Sequence, residues 1–399
     1  MTVTISDYFL LSPDWDSPVS QKRIWRTSIQ TSIKENEKRS ALFTWPRRTL
    51  SFMVQCMSVS ETNYVRRKLY KNLHNVWGIP LWPEWTQLSS QASSGQAVLN
   101  VGSTENRNFE VGGKCMILVD EDNYEAGDIL SMTSTSITLD TNLNSTWDSG
   151  LYVYPILKAQ LKAEQTGVSK SIGFDTFSFE FIEVPDTDIT HYLFSVTPDT
   201  YNTFNVFETE PNWLSSLNID YKHNYDVLKF LGARYTNTNV AETNMSLTAL
   251  FSNFSSTELN DLLGFFDISK GRWDQFWLPS FNEDITITSA FVGTDTTFDI
   301  EDIKWSAYWN GMDVVGQYLR FQFPDGSIEY RNITGAPSTT EITIDATIDT
   351  AVTTEELPFL KVSFLFLVRF DIDEIEINRE TETVSDCKLK FTTIYGAAI

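Results

Sequence analysis

Two stretches of the sequence resemble each other, and this repeat constrains the fold more than any other feature. The stretch SSTELNDLLGFFDISKGRWDQFWLPSF covers residues 255–281, and SVSETNYVRRKLYKNLHNVWGIPLWPEW covers residues 58–85. In both, a Ser stands three residues before a Glu, which is the pattern of a capping box at the start of a helix. Both then end in a Trp, a Pro and an aromatic residue. The sequence therefore predicts two helices, each followed by an aromatic corner.

The similarity extends beyond the helices at a nearly constant spacing. FLLSPDW at 9–15 resembles FETEPNW at 207–213, and an alternating strand at 50–54 resembles the segment at 247–251. We interpret this as an internal duplication; the alternative is two unrelated strand and helix units. The repeat pairs eight positions with one another: Trp15 with Trp213, Trp77 with Trp273, Pro83 with Pro279, and Trp85 with Phe281.

Length and composition indicate two strand-rich domains. A chain of 399 residues is too long for one ordinary core, and the repeat divides it into two halves. Hydrophobic residues make up 41% and aromatic residues 14% of the sequence, which is enough to form packed cores. The many Thr, Ile, Val, Phe and Tyr residues favour strands. We predict a mainly β (α+β) fold with two tandem domains, each an antiparallel sheet with one helix.

Short strands separated by Gly, Asp and Asn interrupt each copy. They lie at 97–155 in the first copy and at 297–345 in the second, where Asp325 and Gly326 form a hairpin signal. Strands at this spacing favour a small barrel or sandwich, so we predict a small inserted β-barrel in each copy. The predicted domains are 1–87 with 156–200 for the first copy, 88–155 for its insert, 201–284 with 359–399 for the second copy, and 285–358 for its insert.

Charge and motifs argue against several classes of function. The net charge of −23 is unsuited to holding nucleic acid by its phosphates, so DNA is expected only as cargo that slides past an acidic wall. The first residues lack a secretory signal pattern, and the longest apolar run, 359–370, is too short for a bilayer, so we expect no membrane partner. The three cysteines suggest neither a disulfide framework nor a zinc site. No nucleophile motif or phosphate-binding Gly loop is present, and we predict no enzyme activity, catalytic residue, metal or cofactor.

Two further segments, one aromatic and one acidic, have patterns that indicate a structural or binding role. Aromatic residues in WSAYWNG could form a sugar-stacking platform or contact a partner, with aromatic packing under the insert as the alternative; these candidates are Trp305, Tyr308 and Trp309. The run of acidic residues at 371–376 alternates with apolar residues, which predicts a strand with a solvated or lumen-facing acidic edge.

Several of these motifs together resemble tail proteins of long-tailed bacteriophages. They are Pro-Asp/Asn-Trp near the start of each copy, a strand, a capped helix ending in GRWDQFWLPSF, and the late strand VRFDIDEIEI. The similarity is to distal tail proteins and related baseplate components, in which such a sheet and helix domain closes into a ring that continues the tail tube. It covers residues 206–281 and 364–377 best and the first copy weakly. This chain departs from the usual single copy of the unit.

The resemblance implies a structural virion protein that is made in the host cytoplasm and forms a ring at the end of the tail tube or in the baseplate. Two copies per chain allow a trimer with pseudo-six-fold symmetry, and a hexamer is the other option. The implied partners are further copies of the chain, the tail tube protein, and baseplate hub or fibre proteins. The alternative is a tail tip protein that binds or cleaves host surface glycans through the inserts. A glycan hydrolase unrelated to phage is a third, less favoured option.

Overall fold

The computed structural model describes residues 3–171, 174–186, 191, 193–230, 233–238, 240, 243–253, 255–308, 316–381 and 383–394, and it is mainly β with antiparallel sheets. Up to residue 186 the strands are β1 (Asp7–Tyr8), β2 (Val19–Ile24), β3 (Thr27–Thr31), β4 (Glu37–Ala41), β5 (Arg47–Cys56), β6 (Val76–Pro80), β7 (Thr86–Gln87), β8 (Val98–Asn100), β9 (Lys114–Leu118), β10 (Tyr124–Thr133), β11 (Ser136–Leu139), β12 (Tyr152–Leu161), β13 (Thr166–Ser171) and β14 (Phe174–Glu183). From residue 200 onward they are β15 (Thr200–Tyr201), β16 (Phe204–Asn205), β17 (Asn218–Lys222), β18 (Tyr225–Phe230), β19 (Ala233–Thr238), β20 (Asn244–Asn253), β21 (Phe276–Pro279), β22 (Thr297–Asp299), β23 (Tyr318–Gln322), β24 (Ile328–Ser338), β25 (Glu341–Ile344), β26 (Lys361–Phe370), β27 (Glu374–Arg379) and β28 (Ser385–Thr393). The helices are α1 (Val59–Asn72), α2 (Ser256–Ser269) and the short α3 (Trp305–Tyr308).

Both long helices begin where the capping boxes predict. The hydroxyl of Ser58 accepts a hydrogen bond from the main-chain N–H of Glu61 at 3.1 Å, and Ser255 accepts one from Glu258 at 3.1 Å. Each Ser is in an extended conformation, as an N-cap residue should be. The prediction of two capped helices is confirmed.

The same series of strand pairings occurs in each half of the chain. In the N-terminal half β5 lies between β2 and β14, β14 also pairs with β12 and β13, and β12 pairs with β6. In the C-terminal half β20 lies between β17 and β28, β28 also pairs with β26 and β27, and β26 pairs with β21. A parallel contact precedes each series: β1 pairs with β6, and Val206 bridges to Trp277. Each helix directly follows the central strand of its half.

Each half has its own aromatic core between the sheet and the helix. The ring of Phe9 lies at the centre of the first core, with its centroid 4.8 Å from that of Phe179. Phe207 takes the corresponding place in the second core, 5.0 Å from Phe265 of α2. Edge-on contacts of this kind are favoured between aromatic rings, and the second one packs α2 against its sheet.

The two inserts are antiparallel sheets with cores of their own. The first contains β7 to β11 and the start of β12, and the second contains β22 to β25 and the start of β26. The predicted barrels are not found, because no closed barrel occurs in the part of the chain that the structure describes. Outside the named strands, an isolated bridge joins Leu88 to Val101 in the first insert and another joins Ile287 to Ile300 in the second. Such single bridges do not form a ladder.

The aromatic corner after each helix differs from the sequence prediction. Trp77 is fully buried in β6, opposite Ala159 of β12. The corresponding place in β21, opposite Val368 of β26, belongs to Phe276. Trp273, which the sequence paired with Trp77, lies before the strand and is 36% exposed. The predicted pairing of these two tryptophans is therefore wrong.

The cause of this shift is the turn that follows α2. Lys270 and Gly271 both have a left-handed main chain, with φ of 49° and 63°. This cap lengthens the connection, since β21 begins seven residues after the end of α2 and β6 only four residues after the end of α1. Trp273 lies within the longer turn, where the ammonium group of Lys270 is 5.1 Å from its ring centroid.

Candidate assembly interface

One strand ladder joins the two halves of the chain. β2 pairs antiparallel with β27, from Val19 opposite Arg379 to Ile24 opposite Glu374. Because β2 also pairs with β5 and β27 with β28, one sheet continues from β14 through β5, β2, β27 and β28 to β20 and β17. The halves are therefore joined edge to edge by main-chain hydrogen bonds.

A buried ion pair holds α2 against this ladder. Arg23 of β2 and Asp267 of α2 are 3% and 2% exposed. Nε and Nη2 of Arg23 donate to the two carboxylate oxygens at 2.7 and 2.5 Å, a bidentate arrangement. The indole N–H of Trp25 and the main-chain N–H of Phe194 donate to the same carboxylate at 3.0 and 3.2 Å. These four hydrogen bonds offset the cost of removing both charges from water.

Trp25 also completes the core of the C-terminal half. Its side chain is 1% exposed and belongs to the same cluster as the apolar residues of α2. Its main-chain N–H donates to the carbonyl oxygen of Asp373 at 2.7 Å. The two helices differ in burial: α2 buries nine residues, with Phe194 and Val196 packed in the same core as Trp25, whereas α1 buries Thr62 and Val65.

The acidic run at 371–376 belongs to this junction. Asp373 accepts hydrogen bonds from the main-chain N–H and the hydroxyl of Thr27, both at 2.9 Å. The ammonium group of Lys22 lies 2.8 Å from Glu374 and 3.5 Å from Glu376. The predicted alternation of apolar and acidic residues along β27 is confirmed. Its acidic side chains, Glu374 and Glu376, are 44% and 48% exposed, as predicted for a solvated edge, and both lie beside Lys22 of β2.

The hairpin of β3 and β4 extends the contact between the halves. The guanidinium of Arg369 in β26 forms two hydrogen bonds with Glu37 of β4, at 2.9 and 2.8 Å, and Arg39 donates to Gln275 at 2.7 Å. Burial alone would lower the pKa of Arg369, but Glu37 and Asp371 outweigh it and raise the pKa. The arginine therefore stays charged in this junction.

A second buried polar network joins the first insert to its sheet. Arg48 of β5 donates to Glu183 of β14 at 2.7 Å, approaches Glu110 of the insert at 3.0 Å and donates to Asn108 at 3.2 Å. Burial opposes the charge of Arg48, yet the two carboxylates outweigh it and raise the pKa of the guanidinium. All four side chains are buried, so they fix the insert on the sheet.

The same network reaches the other half of the chain through Glu84. One oxygen of its carboxylate accepts a hydrogen bond from Gln21 of β2 at 3.1 Å and lies 3.7 Å from Arg379 of β27. The other oxygen accepts from the main-chain N–H of Asn108 at 2.8 Å. One carboxylate thus contacts the first insert and both strands of the junction.

The other predicted repeat positions have unequal surroundings. Trp15 packs against the N-terminal core, while Trp213 is 48% exposed. Pro279 ends β21 as Pro80 ends β6, so the register matches Pro279 with Pro80 and not with the predicted Pro83. Pro83 lies one turn later, in a short 3-10 helix.

The last predicted pair, Trp85 with Phe281, is also dissimilar in its contacts. The ring of Trp85 lies 4.9 Å from that of Tyr152 in the first insert. Phe281 packs instead against the C-terminal core and has a φ of 57°. The different turns after the two helices account for the mismatch of Pro83 with Pro279 and for that of Trp85 with Phe281.

The structure separates the candidate glycan contacts. Trp305 is 2% exposed, lies in the core of the second insert, and donates its indole N–H to the carbonyl oxygen of Gly316 at 2.8 Å. It therefore presents no open face for stacking. Tyr308 is 68% exposed, and Trp309 lies outside the described residues.

A tyrosine cluster that the sequence reasoning missed lies where the second insert meets the sheet. The ring of Tyr201 is 6.1 Å from Tyr318 and 5.7 Å from Tyr330, and Trp277 is 4.7 Å from Tyr318. Tyr330 donates its hydroxyl to Glu208 at 2.9 Å, and burial together with that carboxylate raises the pKa of Tyr330. Because these residues are far apart in sequence, no local pattern pointed to the cluster.

The described residues offer neither a metal site nor a membrane-spanning helix. They contain no group of three or more His, Cys, Asp or Glu side chains placed to hold a metal ion. None of the helices in the described ranges has the length and apolar character needed to cross a membrane. Comparison with known protein families and with characterised proteins found no family and no relative that matches this chain.

Proposed function

We propose that the chain is a structural protein of a bacteriophage tail, which forms a ring at the distal end of the tail tube or in the baseplate and adapts the tube to the tip proteins. The observation that carries the proposal is the ladder between β2 and β27, which joins two similarly paired sheets edge to edge. A sheet edge is a general means of attaching one subunit to the next.

The proposal treats the two halves as tandem copies of one sheet and helix unit. The repeated order of strand pairings, the two Ser caps and the central Phe9 and Phe207 support this. The copies would be 1–87 with 156–200 and 201–284 with 359–399, and each would carry an insert. The inserts would contact other tail proteins.

Edge-to-edge joining of like units favours a closed ring. A head-to-tail contact generates either a ring or an open filament, and ring closure leaves no unpaired sheet edge. Two units per chain fit a trimer with pseudo-six-fold symmetry, and two stacked rings of six chains are the other option. The acidic net charge of −23 suits a channel that DNA passes without being held.

The mass of the purified assembly tests this proposal. Native mass spectrometry or light scattering should give a trimer or a hexamer, and images of the particle should show a ring. The ring should bind purified tail tube protein from the same phage. A chain that stays monomeric at all concentrations and joins neither virions nor tail proteins refutes the proposal. Glycan binding that is lost in Tyr308→Ala would instead favour the tail tip alternative.

A further inference from the structure

Two strands at opposite ends of the continuous sheet have an open edge. β13 pairs with β14, and β17 pairs with β20; neither has a second ladder among the residues that the structure describes. Every residue of both strands is exposed. The exposed residues include Val168, Ile219 and Tyr221, with 62%, 50% and 71% of their surface accessible. Exposed edges of this kind are templates for pairing with another chain.

The junction inside the chain shows what such edges bind. β13 lies on β14 in the same register as β27 on β28: Gly167 is opposite Phe177 in the first pair, and Ile377 is opposite Cys387 in the second, both members 210 residues later. The open edge of β13 therefore corresponds to the edge of β27 that β2 occupies.

The same correspondence holds for the other strand. Ile219 of β17 is opposite Leu247 of β20, and Gln21 of β2 is opposite Leu50 of β5. The open edge of β17 therefore corresponds to the edge of β2 that pairs with β27. One chain thus contains one completed junction and the two separate halves of another.

We infer that β17 of one copy pairs antiparallel with β13 of a second copy, in the register of the β2 and β27 ladder. Ser20 is opposite Asn378 and Gln21 is opposite Ile377 in that ladder. Transferred to the open edges, Asn218 faces the partner's Val168 and Ile219 faces the partner's Gly167. This inference rests on the proposed ring, and it names the surface by which one chain binds the next.

The residues near the open edges support a second copy as the occupant. Tyr221 holds the position in β17 that Arg23 holds in β2, and Tyr70 holds the position in α1 that Asp267 holds in α2. The intrachain pair is buried, whereas Tyr70 and Tyr221 are 90% and 71% exposed. Two large, exposed tyrosine side chains therefore lie at the positions that the buried ion pair occupies in the completed junction. Pairing of the edges would bring them together.

The difference between the two junctions also prevents wrong joining. If β17 took the place of β2 on β27, Tyr221 would face the buried carboxylate of Asp267 and leave it without a cation. An unpaired buried charge is strongly destabilising. An ion pair in one junction and an aromatic pair in the other therefore make each edge selective for its own partner.

A hairpin follows each of the strands β2 and β17. β18 and β19 follow β17 as β3 and β4 follow β2, and the β3 and β4 hairpin contacts the other half through Glu37 and Arg39. The β18 and β19 hairpin exposes Leu228 and Tyr235, 49% and 61% accessible. These side chains would cover the first half of the neighbouring copy.

Disulfide cross-linking tests the register directly. Residues directly opposite in an antiparallel pair have Cα atoms about 4.5 to 5.5 Å apart, within the range of about 4.4 to 6.8 Å that a disulfide spans. Asn218→Cys combined with Val168→Cys should give covalently linked chains on mild oxidation. Asn218→Cys combined with Lys170→Cys, displaced by two residues, is the control and should stay at background. The native cysteines are buried and add little background.

A second pair of variants measures assembly without introducing cysteine. Tyr221→Asp should lose the multimer while the chain keeps its far-UV circular dichroism. Tyr308→Asp, an equally exposed tyrosine on the second insert, should still assemble.

The possible outcomes separate the two proposals. A wild-type chain that is monomeric overturns the ring and this inference together. A ring that assembles in Tyr221→Asp, or that cross-links through the displaced pair and not through the predicted one, overturns the inference alone.

Discussion

Replacing Asp267 by Ala tests whether the junction between the halves depends on its buried ion pair. The substitution leaves the guanidinium of Arg23 buried without an anion and removes the acceptor of the Trp25 indole N–H. Breaking a buried ion pair by removing one partner costs about 3 to 5 kcal/mol. We expect the free energy of unfolding to fall by about that amount, because the site is closed to water on all sides.

The fall in the free energy of unfolding caused by Asp267→Ala is best compared with that of two companion variants. Glu180→Ala removes a partner of Lys162 in a pair that is 56% and 37% exposed, and such surface pairs contribute about 0 to 1 kcal/mol. In Arg23→Met with Asp267→Leu both charges are absent, so most of the lost stability should return. The three variants share one assay, equilibrium unfolding in urea followed by tryptophan fluorescence, which includes the buried Trp25.

The outcome separates a required ion pair from a dispensable one. If Asp267→Ala lowers the stability no more than Glu180→Ala does, the reasoning about the junction is wrong. If the double variant is as unstable as Asp267→Ala, the loss of stability comes from altered packing around Trp25 and not from the unpaired charge of Arg23.

Three further predictions concern other parts of the fold. Ser255→Ala should lower stability by about 1 kcal/mol through loss of the N-cap, while Ser256→Ala on the exposed first turn should change it little; equal midpoints in urea would contradict the cap. Burial alone would raise the pKa of Asp371, but Lys390 and Arg369 outweigh it and lower the pKa below its ordinary 3.8. The stabilisation is therefore present above pH 3.8 and is lost as the pH falls through the folded value, so Asp371→Asn should be less stable than wild type at pH 6, with a smaller difference at pH 3. Burial raises the pKa of each thiol to about 11 or 12, so a thiol reagent at pH 8 should label the chain only after unfolding, and rapid labelling of the native chain would contradict the burial of Cys56, Cys115 and Cys387.

The predictable parts of the fold were those set by neighbours in sequence. The Ser caps bind N–H groups three residues away, and strand alternation depends on neighbouring residues, so both predictions were correct. The hairpin at Asp325 and Gly326 is local in the same sense, with Gly326 at a φ of 88°.

The incorrect predictions depended on contacts or lengths that the local sequence does not specify. The pairing of Trp77 with Trp273 failed because two left-handed residues after α2 lengthen one turn. Trp305 was considered for stacking, yet its burial depends on strands that follow it in the chain. The junction itself was missed because Arg23 and Asp267 are 244 residues apart, and only the fold brings them together.

Trp25 directly follows β2 of the N-terminal sheet in sequence, yet its side chain packs in the C-terminal core. During synthesis on the ribosome, β2 emerges long before residues 374–379, which form its second partner. The N-terminal half can fold early, but the indole of Trp25 stays uncovered until α2 has been made, and one edge of β2 stays unpaired until residues 374–379 have been made. Nascent chains stopped before residue 374 would keep that edge exposed and should be prone to aggregation or chaperone binding.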